Sequence, residues 1–242
     1  MRILITNDDG IRAPGLLPLA QWAQRLGEVT VYAPKFEQSG KSHGIEIHKS
    51  FEVKKVDFAP GIEAYSVDST PADCVRIAIL GMKKQFDLVI SGINRGLNIG
   101  QDTIYSGTVG AIFEASALGL PALAFSTSPA YYDRAICHMD AIYDYICRNR
   151  LMEKNDLYNI NIPDNPVGFR ITRQGGPYYS DQFSLQENDM MMPCGIDVFR
   201  SSNTRDLDTD AVLVHHLISI SPLTLDRTNL VVYKQLTALN EE

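Results

Sequence analysis

Continuous apolar runs closed by polar turns recur along the chain as far as Pro163. Residues 2–6 (RILIT), 29–33 (VTVYA), 86–91 (FDLVIS), 121–126 (PALAFS) and 157–162 (LYNINI) have the length and composition of strands buried on both faces. Residues 45–56 and 62–67 alternate less cleanly and predict shorter strands. Helical spacing appears between these runs. After Pro14, which can open a helix, Leu16, Leu17, Leu19, Ala20, Ala23 and Leu26 share one face, and Gly27 supplies a stop. Thr70-Pro71-Ala72-Asp73 reads as a capped helix start, with the carboxylate near the positive end of the dipole. Residues 107–119 and 134–148 predict two further helices. A strand–helix–strand opening of this kind implies a parallel sheet joined by crossover helices.

Beyond Pro163 the pattern changes. Residues 173–208 hold glycines, prolines, the pair Tyr178-Tyr179 and Met190-Met191-Met192, with no sustained period. So long a stretch without a period is uncommon inside a compact domain and predicts an extended hairpin or arm whose apolar residues another subunit buries. Residues 209–221 and 229–236 resume an ordered pattern. The chain therefore divides into a core over 1–172, an arm over 173–208 and a closing segment over 209–242 that packs back on the core or on a partner. It holds no internal repeat, low-complexity tract or linker.

Composition narrows the class. Hydrophobic residues make up 45% and charged residues 21% of the 242 positions, as in folded globular chains. The formal net charge of −7 argues against a nucleic-acid binder, which needs a cationic face. A small anionic substrate remains compatible, because one bound cation reverses the field of a pocket. Cys74, Cys137, Cys147 and Cys194 have no zinc-knuckle or redox spacing and fit free thiols in a reducing compartment. The apolar start is too short and too acidic for a signal peptide, and no run approaches the ~20 apolar residues of a membrane helix. A cytoplasmic protein without membrane contact is expected.

The candidate chemistry lies at strand ends. Asp8 and Asp9, in Asn7-Asp8-Asp9-Gly10, directly follow the first strand, where parallel sheets bind ligands. Adjacent residues share a ligand only if the backbone turns, which Gly10 permits. A cation between two carboxylates removes their repulsion; the competing reading is an Asp-Gly turn with solvated charges. Ser39 follows the second strand and Asn94 follows the strand ending at Ser91. In a parallel sheet these ends converge, giving an all-oxygen set that suits Mg²⁺ or Mn²⁺, admits Ca²⁺ and disfavours zinc or copper. Gly96 to Gly100 and Tyr105 to Ala111 leave backbone N–H groups uncovered before a helix, a way to hold a phosphate dianion, although small residues also serve close packing there. His43 sits in the loop near Ser39, where it can protonate a leaving alkoxide or serve only a structural role. His215 and His216 are read as structural or interfacial.

Taken together, these stretches resemble the SurE family of survival-protein nucleotidases. The matching segments are Asn7-Asp8-Asp9-Gly10, Ala13-Pro14-Gly15, Ser39-Gly40, Thr70 to Val75, Ser91 to Asn98, Tyr105 to Val109, Asn159 to Pro163 and Ser219 to Leu223, in order along nearly the whole chain. The resemblance implies a Rossmann-like three-layer αβα sandwich with a mostly parallel sheet. It implies divalent-metal-dependent hydrolysis of nucleoside monophosphates, with Asp8, Asp9, Ser39 and Asn94 as metal ligands. Asn98, Ser106, Gly107 and Thr108 would line the phosphate pocket, and a C-terminal arm would build a homodimer or homotetramer. The loop Lys41-Ser42-His43-Gly44, the pair His215-His216 and residues 176–206 depart from the family pattern.

The expected reaction is attack of a metal-activated water on the phosphorus of a nucleoside 5′-monophosphate or its 3′ isomer, with Asp9 or His43 accepting the proton. Other small phosphate esters and short polyphosphates are alternative substrates. An Asp-Asp pair rather than Asp-x-Asp offers no haloacid-dehalogenase nucleophile. A receiver-like signalling domain also pairs acids after its first strand but needs a later acceptor aspartate where this chain has Asn94. A dinucleotide-dependent oxidoreductase would need Gly-x-Gly-x-x-Gly at the first turn.

Overall fold

The computed structural model describes residues 1–239, so residues 240–242 of the closing segment 209–242 lie outside the described residues. The strands are β1 (Arg2–Thr6), β2 (Glu28–Pro34), β3 (Val53–Ala59), β4 (Ile62–Val67), β5 (Leu88–Arg95), β6 (Ala122–Thr127), β7 (Leu157–Ile162), β8 (Gly168–Ile171), β9 (Tyr179–Leu185), β10 (Met191–Asp197) and β11 (Leu217–Pro222). The helices are α1 (Leu16–Ala23), α2 (Pro71–Arg76), α3 (Gly107–Ala117), α4 (Met139–Arg148), α5 (Asp208–Leu213) and α6 (Leu230–Leu236). Nine strands form one sheet in the order β3-β4-β2-β1-β5-β6-β7-β11-β8, and β9 and β10 form a separate antiparallel hairpin. From β4 to β7 the sheet is parallel, while β3 and β11 run antiparallel to β4 and β7.

Alternation along the strands builds the layers. Ile3 and Ile5 of β1 face α1 and α4, joining Leu16, Leu19, Trp22, Ile142 and Ile146 in one core. Leu4 faces the other way, into a core with Cys74 and Val75 of α2 and Val109, Ile112 and Ala115 of α3. On β6, Leu123 and Phe125 fill the first core while Ala122 and Ala124 face α3, where small side chains let the helix lie close. The result is the three-layer α/β sandwich. Buried on both faces, the central strands read as continuous apolar runs because neither side meets water.

Several local expectations are corrected. The first helix begins at Leu16 rather than at Pro14, with Gly15 as its cap. Pro18 falls in the first turn, where a missing N–H breaks no intrahelical bond. Residues 45–52 form no strand; Ile45 and Ile47 are exposed, and the Glu46 N–H donates to the Asp73 carboxylate at 2.8 Å. The helix predicted over 134–148 is a 3₁₀ turn, Ala135–His138, followed by α4. Helix α3 stops at Ala117, and Gly119 follows at φ +78° as its left-handed terminator. Among the described residues no helix is long and apolar enough to cross a membrane.

Candidate active site

The chain runs from β1 outward through β2 and β4, then returns to the other flank of β1 with β5 and continues through β6 and β7. The crevice where this order reverses opens between β1 and β5, beyond their carboxyl ends. Asp8 and Asp9 leave β1 there. Gly10 at φ +102° turns the backbone, and the Asn7 side chain closes the turn by donating to Gly10 O at 3.0 Å and accepting from Gly10 N at 3.1 Å. Opposite, β5 advances three residues, Ser91 to Asn94, while β6 advances two, Ala124 to Ser126. This bulge re-aims the end of β5 and brings Asn94 to the crevice.

A cleft of about 560 Å³ occupies this position, lined by Asp8, Asp9, Ser39, Asn94, Asn98 and Ser106 among the residues picked out from sequence. Asp8 is buried and accepts a hydrogen bond from the Thr108 hydroxyl. Burial pushes its carboxyl up to about 6, against the opposing pull of Thr108 and reinforced by Asp9. Burial also raises Asp9, although the Arg95 N–H donates to its Oδ2 at 3.0 Å and lowers it in part. The Ser39 hydroxyl donates to Glu37 Oε1 at 2.6 Å, and Asn94 Nδ2 donates to Gly96 O at 2.9 Å, which leaves the Asn94 amide oxygen as an acceptor. Asn98 is tied to β6 and β7: its Nδ2 donates to Ser126 Oγ at 2.7 Å, and its N–H donates to Asn161 Oδ1 at 2.8 Å. Ser106 caps α3 by accepting from Val109 N at 3.1 Å.

Three sequence-selected residues lie outside the lining. Thr108 is fully buried and spends its hydroxyl on Asp8. Gly107 lets α3 approach: a Cβ there would stand 2.9 Å from Asp8 Cβ and 3.3 Å from Gln38 O. His43 packs beside α3 instead, with Nε2 2.7 Å from Glu114 Oε2. The structure adds lining residues whose side chains were not selected from sequence, namely Glu37, Asp102, Pro129 and Tyr132, together with Arg95 and Tyr105, which lie within the matching segments. Tyr132 accepts from Gly15 N at 2.8 Å, which joins the loop after β6 to the start of α1, and burial pushes its phenol up to about 12. Glu37 and Arg95 stand close to selected positions and carry charge, the one signal that could have found them.

A family profile described as Survival protein SurE matches residues 3–181. The chain belongs to the SurE family. It is 33% identical to the 5′-nucleotidase SurE of Clostridium beijerinckii, with all of both chains covered. It is 39% identical to the 5′-nucleotidase SurE of Carboxydothermus hydrogenoformans, covering 95% of this chain and 92% of that one. The crystal structure of the SurE protein from Aquifex aeolicus superposes with a TM-score of 0.81 at 30% identity, with both chains fully covered. The Rossmann-like sandwich expected from the resemblance to the family is thus the fold observed.

Whether a divalent cation suits this family member's cleft is decided by its donors. Among the described residues no three His, Cys, Asp or Glu side chains converge as a metal cluster, so a cation would rest on a mixed oxygen set. The cleft lining supplies such a set in Asp8, Asp9, Ser39 and Asn94. Its charges are four carboxylates, Asp8, Asp9, Glu37 and Asp102, against the single cation Arg95. Hard oxygen donors in an anionic cleft fit a divalent ion of the Mg²⁺, Mn²⁺ or Ca²⁺ type.

Proposed function

We propose that this chain is a divalent-metal-dependent phosphomonoesterase that releases phosphate from nucleoside 5′-monophosphates, with 3′-monophosphates as second substrates. The observation that carries this reading is the electrostatics of the cleft. Four carboxylates face the capped start of α3, which offers Ser106 and the positive end of a helix of 11 residues. A phosphate dianion would be repelled by the first group and held by the second, so it enters once a cation sits on the carboxylates. Other phosphate esters share that dianion, which keeps them as the alternative substrates.

Asp8, Asp9, Ser39 and Asn94 would hold Mg²⁺ or Mn²⁺. A bound divalent cation supplies Lewis-acid polarisation of phosphoryl oxygens and acidifies water. Thr108 orients Asp8, and Gly107 lets the helix start lie against it. Ser106, already accepting from Val109, keeps its own hydroxyl proton for an equatorial phosphate oxygen. Asn98 Nδ2 retains a second hydrogen beyond the one given to Ser126. Asp9, raised by burial and open to the cleft, takes the water proton. His43, engaged with Glu114, stabilises the flank of α3 in this scheme and handles no proton.

Phosphate release from a panel of nucleoside 5′- and 3′-monophosphates tests the proposal. With Mg²⁺ or Mn²⁺ release is expected; in chelator it should fall to background and return on re-addition of metal. Undiminished release in chelator would remove the metal mechanism.

The homo-oligomer remains part of the same reading. The hairpin exposes Phe183, Leu185 and Met190 to Met192, and α6 exposes Leu230, Val231 and Tyr233. Apolar surface of this extent calls for cover, and further copies of the chain provide it in a dimer or tetramer. Light scattering that shows a monomer at micromolar concentration would contradict this. The four cysteines are free, consistent with a reducing cytoplasmic setting.

A further inference from the structure

We infer that His43 and Glu114 form a latch that holds the loop carrying Ser39 down on α3, which makes both of them positioning residues for the cation site. The inference rests on the metal-dependent reading above and names what sets one of its four ligands in place. Ser39 follows β2 on a loop, residues 38–46, whose outer positions Ser39, Gly40 and Lys41 are exposed. The loop is therefore held from its inner side.

That side runs along one stripe of α3. Gly107, Gly110 and Glu114 are spaced i, i+3 and i+7, so they share a face of the helix. The two glycines let the loop backbone descend. A Cβ at Gly107 would stand 3.3 Å from Gln38 O, and one at Gly110 would stand 2.1 Å from Ser42 O and 3.0 Å from His43 Cα. At the end of the stripe Glu114 is buried, with its Oε2 2.7 Å from His43 Nε2. An ionised carboxylate only accepts, so the imidazole N–H donates.

The same carboxylate is tied to a second anchor. Arg76 of α2 places Nη1 3.9 Å from Glu114 Oε1 and Nε 3.7 Å from Asp73 Oδ1, and Asp73 Oδ2 accepts from Glu46 N at 2.8 Å. The guanidinium thus links the carboxylates that grip the loop at His43 and at Glu46. The upstream end is pinned as well, since Gln38 N donates to Asp8 O at 2.7 Å. Between these anchors Ser42 lies at φ +54°, a left-handed conformation that is costly for a residue with a side chain. Its N–H donates to Tyr105 O at 2.9 Å and its hydroxyl to Ile104 O at 2.6 Å. A loop bent in this way relaxes when His43 is released, and Ser39 moves with it.

Two readouts besides turnover test the latch on the full chain. Hydrogen exchange reads the loop: in His43→Ala the Ser42 amide should lose protection by roughly tenfold while that of Ile112 in α3 is unchanged. His43→Gln, whose amide can donate to Glu114, should restore it. Calorimetric titration with Mn²⁺ reads Ser39: affinity should fall roughly tenfold in His43→Ala and in Glu114→Ala, as for groups that orient a metal ligand, and recover in His43→Gln. In a Ser39→Ala background, His43→Ala should cost less than about twofold more, because the ligand it positions is gone. Unchanged Ser42 protection in His43→Ala overturns the latch. Lost protection with wild-type Mn²⁺ affinity, or full additivity with Ser39→Ala, overturns the positioning role and leaves His43 as a packing residue. A wild type that binds no Mn²⁺, with Ser42 still losing protection in His43→Ala, would sink the metal reading and leave the latch standing.

Discussion

Replacing Asp8 with asparagine is expected to lower kcat/KM for a nucleoside monophosphate by roughly a thousandfold, equivalent to about 4 kcal/mol of lost transition-state stabilisation. The magnitude follows from where Asp8 sits. It leaves the central strand β1 at the switch point, is buried, and is oriented by the Thr108 hydroxyl, so no neighbouring carboxylate can take its place without moving the start of α3. Asparagine keeps the shape and can still accept from Thr108, but it offers one weak oxygen donor where a cation needs charge. Near-normal turnover of Asp8→Asn at saturating metal would show that the cation sits elsewhere.

The same substitution should stabilise the metal-free protein at neutral pH. Burial lifts the Asp8 carboxyl from its ordinary 3.8 to about 6. A raised carboxyl means that the folded state holds the proton more tightly than the unfolded state. Stability therefore falls as pH rises between those two values, and the full penalty is present above pH 6. The shift corresponds to about 3 kcal/mol. Part of the gain is lost because a buried amide also needs partners, so a rise in Tm of about 3–6 °C in chelator at pH 8 is expected, shrinking towards pH 4. An unchanged Tm at pH 8, measured against wild type by calorimetry, would contradict this account. Activity and stability pull in opposite directions at this residue, as they do wherever charge is gathered for a ligand.

Much of the frame is legible because the strands that matter are buried on both faces. β1 and β7 match the runs 2–6 and 157–162, since strands buried on both faces place apolar residues on both, although β7 also buries Asn159 and Asn161. The region 45–56 misleads for the opposite reason: Ile45 and Ile47 belong to an exposed loop anchored through Asp73, a tertiary contact that local pattern does not carry. At the site, the strand-end residues Asp8, Asp9, Ser39 and Asn94 could be read from position alone, because a parallel sheet must gather its carboxyl ends along one edge. Thr108 could not be read correctly. Whether a hydroxyl at a helix start faces the ligand or the strand beneath depends on the rotation of α3, which is set by Gly107 lying against Asp8. Tyr132 was invisible because its partner, Gly15, lies 117 residues away. Asp102 faces the cleft through the 3₁₀ turn Gly100–Tyr105, whose placement depends on Asp208 and the hairpin base. Local spacing thus locates the edge that carries the proposed cation site, whereas long-range clamps locate the walls around it.

Gly92→Ala carries the second large effect, and here a backbone requirement reaches the chemistry. Gly92 lies inside the bulge between Ser91 and Asn94, at φ +136°, a conformation that side-chain-bearing residues avoid. A Cβ there would stand 2.4 Å from the Phe125 carbonyl oxygen, which is backbone of β6 and cannot swing aside. Strain and clash together should cost about 3 kcal/mol or more, lowering Tm by roughly 6–12 °C for a chain of this size. The control is Gly176→Ala, where no atom lies within 4 Å and a change within about 0.5 kcal/mol is expected. Activity should fall further than the unfolded fraction explains. The bulge aims Asn94 at the cleft, and a β5 forced back into regular pairing would advance by one residue and turn that side chain to the other face of the sheet. Metal affinity, read by titration of folded Gly92→Ala at low temperature, should drop together with kcat/KM. Wild-type affinity in a destabilised variant would mean that Asn94 is not a ligand, and that the bulge serves only the packing of β5 against β6.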